Sequence, residues 1–244
     1  MGWTQDSSAL GRVLIDINTQ WDFLSPDGIL PVRNLVLLLP VLRRTFALAR
    51  SRRIPVISAM EAHRPSEPPN GLPPHCIDGT FGQHKLPFTL LTPRITVHAD
   101  NNFDLPFDLM RRYRQVIFRK QDQDLFANPK ADRLLTELTP SEYIVFGVGV
   151  ERSIKAVALG LLARHKRVAV LTDACGYWSE ADADLAWRQL RAKGITLMLL
   201  DELAASESLP RRRPVRPVRL SPRHHPSPRG LRCLRPRETS HRQE

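Results

Sequence analysis

Cysteine is scarce in this chain: Cys76, Cys175 and Cys233 are the only three in 244 residues, an odd count with no metal-knuckle spacing. A disulfide framework is therefore not expected as the source of stability, and reduced thiols are expected. No apolar run approaches the roughly 20 residues that a membrane-spanning helix requires, so no membrane partner is expected. The opening stretch MGWTQDSSALGR lacks a cationic segment followed by an apolar one. The expectation is a cytoplasmic protein without a secretory leader. No internal repeat is visible. Acidic residues run out where basic ones crowd: from 208 onward eleven Arg face only Glu238 and Glu244. Nine of the eleven net positive charges thus belong to that tail, and the preceding residues are close to neutral.

What is present reads as one domain and a tail. A hydrophobic content of 42% suffices for a core, and the length suits a single α/β domain, expected over 11–205. Residues 206–244 are Pro/Arg-rich with almost no apolar pattern and are expected to be disordered. Their charge offers the one route to nucleic acid in this sequence. A solvated tail without a dedicated partner is the plainer reading.

The organising stretch is EYIVFGVGVERSIKAVALGLLARHKRVAVLTDAC, residues 142–175. Its first apolar run, 143–148, is short enough for a buried parallel strand. A break follows at Gly147-Val148-Gly149, then a helix from 151 with Ile154, Val157, Ala158 and Leu161 on one face. A second apolar run, 168–172, gives the next strand. Such a βαβ unit places ligands beyond the carboxyl ends of its strands. Ser153 falls in the first turn of the helix, where unpaired N–H groups favour an anion.

Further strands are expected at 13–17, 54–58, 113–119 and 196–200, with a minor candidate at 95–98. Helices are expected from between Asn34 and Pro40 to about Ser51, over 128–138 and over 179–192. Pro40 fits best in the first turn of its helix. Residues 59–92 are rich in Pro, His and Gly with little periodicity, and a loop that long in a compact domain is usually functional. This alternation predicts an α/β fold: a three-layer α/β/α sandwich around a mostly parallel, Rossmann-like six-stranded sheet.

Four segments carry chemistry: Asn18-Thr19-Gln20-Trp21-Asp22-Phe23, Glu61-Ala62-His63 with Pro74-His75-Cys76-Ile77-Asp78-Gly79-Thr80, Phe118-Arg119-Lys120 leading to Asp124-Leu125-Phe126, and Gly147 to Ile154. In this order they resemble the isochorismatase-like cysteine hydrolases, the superfamily that includes nicotinamidases. The resemblance covers roughly residues 13–205. It implies an amide hydrolase in which an Asp takes a thiol proton, a Lys holds the charges and a thiolate attacks the carbonyl. Backbone N–H groups beside a non-proline cis peptide form the oxyanion hole.

Carried onto this chain, the resemblance makes Lys120 the catalytic Lys but departs at the other two positions. The motif Asp-x-Gln-x-Asp-Phe, aligned without a gap on Gln20, Asp22 and Phe23, puts Asn18 where the Asp belongs. Asp16, two residues earlier on the strand, is the substitute that a shifted strand would supply. The nucleophile position holds Ser153, whose hydroxyl needs an adjacent base that an amide cannot be. Gly149 and Ser153 would supply the oxyanion N–H groups, with a cis Val148–Gly149 peptide. Cys76 and Cys175 read as packed thiols rather than nucleophiles. Trp21 and Phe23 either line the pocket mouth or pack.

The same resemblance makes Glu61, His63 and His75 a carboxylate-His-His set for zinc, iron or manganese, with open positions for substrate. No organic cofactor is implied. The expectations are hydrolysis of a small amide, weak or lost for want of base and thiolate, or a pseudoenzyme that keeps the pocket to bind a carboxamide ligand or serve as a scaffold. A third class is nucleic-acid association through the tail. The resemblance also suggests a homo-oligomer.

Overall fold

A computed structural model describes residues 10–66, 72–99, 104–106 and 108–208. The tail expected to be disordered lies outside the described residues from 209 onward. Seven parallel strands form one sheet: β1 (Arg12–Ile17), β2 (Val56–Glu61), β3 (Arg94–Val97), β4 (Gln115–Lys120), β5 (Glu142–Val148), β6 (Val168–Gly176) and β7 (Thr196–Met198). Their order is β3-β4-β2-β1-β5-β6-β7. The count is seven rather than six because the minor candidate near 95–98 pairs along β4 as an edge strand.

The central strands read as near-continuous apolar runs because both faces of the sheet are covered. In β1, Val13, Leu14, Ile15 and Ile17 are all fully buried. The helices are α1 (Trp21–Leu24), α2 (Leu35–Ser51), α3 (Leu109–Arg112), α4 (Pro129–Glu137), α5 (Lys155–Ala163), α6 (Glu180–Ala192) and α7 (Leu200–Ser208). Right-handed crossovers put helices on opposite faces when the chain moves outward from β1 and from β5 in opposite directions. Accordingly α2 packs with α7, tied by Arg44 and Asp201. On the other side α4, α5 and α6 are joined by Arg164–Asp132 at 2.7 Å and Lys155–Gln189 at 3.3 Å.

Three local features depart from the sequence expectation. Pro40 lies in the second turn of α2, where its missing N–H frees the carbonyl of Val36, a residue that is 84% exposed and so solvated. The helix after β5 opens with a π-helical turn, Val150–Ile154, before α5 begins. The chain after β7 continues into α7, whose segment LDELAASES carries no strong apolar stripe.

Strand order reverses at β1 and β5, where one half of the chain winds outward through β2 and the other through β6. That crevice lies at the carboxyl edge, the usual ligand position in such sheets. Gly147 makes the β1–β5 contact possible: its φ is +121°, and a Cβ there would lie 2.1 Å from the Ile17 carbonyl oxygen.

Candidate active site and metal centre

Four strands deliver one side chain each to that edge. Asn18 follows β1, Glu61 ends β2, Lys120 ends β4, and Ser153 lies in the turn after β5. Asn18 takes φ +51°, a left-handed conformation that Asn adopts more readily than most side chains. All four are buried, with Lys120 and Asn18 each 1% exposed.

Glu61 sits at the centre. Its Oε1 accepts from Asn18 Nδ2 at 2.6 Å and from Lys120 Nζ at 3.0 Å. Its Oε2 faces His63 Nε2 at 3.1 Å and His75 Nε2 at 3.2 Å. Burial alone would raise the Glu61 pKa. The Lys120 charge and the hydrogen bonds from His63, His75 and Lys120 overcome it and hold the carboxyl well below its usual range.

Gln20 fixes the backbone of Glu61 on both sides, donating from Nε2 to its carbonyl and accepting its N–H at Oε1, each at 2.8 Å. The Lys120 ammonium is held by the loop that follows it, through the carbonyls of Asp122 at 2.8 Å and Gln123 at 3.3 Å. Asp22 receives the backbone N–H of Cys76 at 2.6 Å and so anchors the segment that carries His75. That segment also bonds to the His63 strand end through His63 N–H to the Cys76 carbonyl at 3.0 Å. Sequence reasoning placed Gln20 and Asp22 in the motif without a task. The structure makes them the supports of the metal-type cluster.

Ser153 Oγ lies 3.3 Å from Asn18 Nδ2 and 3.4 Å from Lys120 Nζ. Both neighbours are donors. The Asn18 amide must point its nitrogen at Glu61, since a carbonyl there would face a carboxylate oxygen at 2.6 Å. Neither neighbour can take the Ser153 proton. The other end of that amide, Asn18 Oδ1, is buried with no partner among the described residues.

Asp16 goes elsewhere. Its Oδ2 pairs with Lys85 Nζ at 2.8 Å and accepts from Ser58 Oγ at 2.7 Å. The structure brings it into no hydrogen bond with Asn18, Lys120 or Ser153.

The Val148–Gly149 peptide is cis, and the Gly149 carbonyl accepts from Arg152 and Ile154 at 3.2 Å each. A Cβ at Gly149 would strike the Trp178 ring at 2.2 Å. Trp178 is held over the site by its N–H to Glu151 Oε1 at 2.7 Å and its indole to the Leu30 carbonyl at 3.0 Å. Phe23 is fully buried between Trp178 and His75, with ring centroids at 5.5 and 5.2 Å, so it packs. Trp21 stacks edge-on against Phe81 at 4.6 Å.

The two described cysteines are both buried. Desolvation pushes the Cys76 thiol far up, with the charges of Glu61 and Asp22 adding to the shift. Desolvation does the same to Cys175, whose Sγ lies 3.0 Å from the Leu171 carbonyl. Neither is a thiolate at neutral pH.

Glu61, His63 and His75 present ligand atoms that all lie within 4.8 Å of one another. The His75 Nδ1 hydrogen donates to the Pro73 carbonyl at 2.7 Å, which leaves Nε2 as the lone-pair nitrogen in neutral imidazole. Glu61 Oε2, His75 Nε2 and His63 Nε2 then converge on one spot, an arrangement that accommodates a cation. The donor set therefore fits a divalent ion.

The family model described as the isochorismatase domain matches residues 12–202. Comparison with curated proteins returned no match. Among solved structures, an isochorismatase family protein from Desulfovibrio vulgaris is 22% identical with a TM-score of 0.65, over 81% of this chain and 98% of that one. The pyrazinamidase of Pyrococcus horikoshii, solved in complex with zinc, is 20% identical with a TM-score of 0.58, over 78% and 99%. An L. infantum protein solved in complex with nicotinate is 18% identical with a TM-score of 0.60, over 82% and 96%. At these identities the likeness to the solved structures carries the fold.

Proposed function

Since the chain belongs to the isochorismatase family of hydrolases, we propose that it binds a small amide or carboxamide of the nicotinamide type at the carboxyl edge of β1, β2, β4 and β5, with hydrolysis weak or lost. The observation that carries this reading is the setting of Ser153: among the described residues its oxygen meets two hydrogen-bond donors and no base. A serine hydroxyl attacks a carbonyl only when a neighbour removes its proton. Lys120 is committed to Glu61 and two carbonyls, and Asn18 has no ionisable group.

Binding does not need that proton transfer. The unpartnered Asn18 Oδ1 would be satisfied by the N–H of a carboxamide, which would relieve a buried unsatisfied acceptor. The backbone N–H groups of Gly149 and Ser153 are the donors that the family resemblance assigns to the ligand oxygen. Glu61, His63 and His75 would hold a divalent metal, which when bound supplies a Lewis acid to orient the ligand. The chain's own residues set the pocket: Gln20 steadies Glu61, Asp22 steadies His75, and Trp178 covers Gly149.

Calorimetric titration of nicotinamide into zinc-loaded, full-length protein tests the binding claim. Saturable one-site binding that is weakened by His63→Ala/His75→Ala supports the reading. An absence of heat and of any thermal shift at millimolar nicotinamide contradicts it.

A further inference from the structure

Two side chains depart from the motifs that this chain resembles: Asn18 stands where the resemblance calls for Asp, and Glu61-Ala62-His63 is similar to an Asp-x-His metal pair but carries the longer Glu at its first position. In the structure these two side chains touch, with Asn18 Nδ2 only 2.6 Å from Glu61 Oε1. The same oxygen is 3.0 Å from Lys120 Nζ. We propose that the negative charge facing Lys120 has moved from position 18 to position 61, so that Glu61 is the positioning residue for the Lys120 ammonium and Asn18 is its neutral complement. The proposal rests on the assignment of Asn18, Lys120 and Ser153 to the triad positions, though not on any catalysis there.

The physical reasons are contact, charge and reach. Lys120 is buried, and a buried ammonium requires a carboxylate or equivalent partner. Glu61 is the carboxylate in contact with it. An Asp at 18 in the present geometry would bring a second carboxylate oxygen to about the same close approach to Oε1, with burial removing the screening that tolerates like charges at a surface. An Asn at 18 converts that repulsion into a donated hydrogen bond. The extra methylene of Glu relative to Asp lets one carboxylate serve both sides, with Oε1 toward Lys120 and Oε2 toward His63 and His75. One contact then accounts for both departures: with Glu61 against Lys120, a charge at 18 is redundant and unfavourable.

A consequence follows for the site. The Lys120 ammonium and the two histidines share a single carboxylate, so the two halves of the site are coupled through one side chain.

The test is a thermal-melt cycle on the full-length chain with chelator present, which makes the outcome independent of metal loading and of turnover. Asn18→Asp is introduced into wild type and into Glu61→Ala. The expected result is a reversal of sign. Asn18→Asp should lower the midpoint by roughly 5 °C or more in wild type, and should raise it in Glu61→Ala, where the new carboxylate becomes the partner of Lys120. Should Glu61→Ala fail to fold, Glu61→Asp provides the second background. There the shorter side chain withdraws from position 18, and the penalty for Asn18→Asp should fall below half its wild-type value. The same loss in every background, or no loss in wild type, overturns the proposal. A silent amide-hydrolysis assay leaves it untouched, so failure here and failure of the proposed function are separate results.

Discussion

Removing the amine from Lys85 would break an ion pair that lies behind the site rather than in it. Lys85 Nζ is 2.8 Å from Asp16 Oδ2 and 2.7 Å from Thr19 Oγ1, with both charged side chains at most 1% exposed. The gross attraction at that distance is about 6 kcal/mol with an effective dielectric constant near 20. Most of it is offset by the desolvation of the two ions, so the pair itself adds little. Removing one partner is another matter, because a buried charge is then stranded. Lys85→Met should therefore cost about 3–5 kcal/mol. Asp16 would retain only the Ser58 hydroxyl, and its Oδ1 already has no partner among the described residues. For a domain of this size the loss corresponds to a fall in melting midpoint of roughly 6–20 °C. The double variant Asp16→Asn/Lys85→Met should recover more than half of the loss, since no charge is left unpaired. Circular-dichroism melts of the four proteins give the cycle directly. Additive losses, with the double variant worse than either single, would refute the ion-pair account. The same set decides whether Asp16 is a displaced catalytic base: Asp16→Asn should lower stability and leave any residual amide hydrolysis per folded molecule unchanged.

Two further outcomes are expected. Burial disfavours the charged form of His75, but its bonds to Glu61 and the Pro73 carbonyl more than compensate and raise its pKa from 6.5. In chelator, the stability this group contributes is therefore fully present below about 6.5 and is lost as pH rises through the higher folded value. Zinc affinity should run the opposite way, rising with pH as His75 gives up its proton, and competition with a chromophoric chelator across pH 5.5–8 checks the sign. Gly147→Ala should lose soluble protein or at least about 3 kcal/mol in denaturant melts, because a side chain at φ +121° also meets the Ile17 carbonyl at 2.1 Å.

Much of the fold was readable because parallel strands buried on both faces are unbroken apolar runs, as in 143–148 and 168–172. The exceptions follow from the same physics. The strand β6 runs on to Gly176 through Thr172, Asp173 and Cys175, a stretch whose composition gives no strand signal but whose backbone still pairs with β5. The turn after β5 winds as a π-helical turn, which apolar spacing does not distinguish from the first turn of an α-helix. At the site, the motifs named Asn18, Glu61, His63, His75, Lys120 and Ser153 but not Trp178, and spacing could not show that Glu61 reaches both the histidines and Lys120. That contact joins β2, β4 and the 72–80 segment, and exists only in three dimensions. Asp16 misled for a similar reason. Strand alternation puts it on the face of Asn18, but Asn18 leaves the extended conformation, and Lys85, supplied from a distant loop, captures the Asp16 carboxylate.

The central claim is that this pocket has the family's architecture without a competent nucleophile and base. The most direct measurement is ammonia release from nicotinamide by zinc-loaded, full-length wild type, run beside Ser153→Ala. The account predicts a turnover far below ordinary enzyme rates of about 1–10³ per second, and little difference between the two proteins. Turnover within that range, abolished by Ser153→Ala, would contradict it.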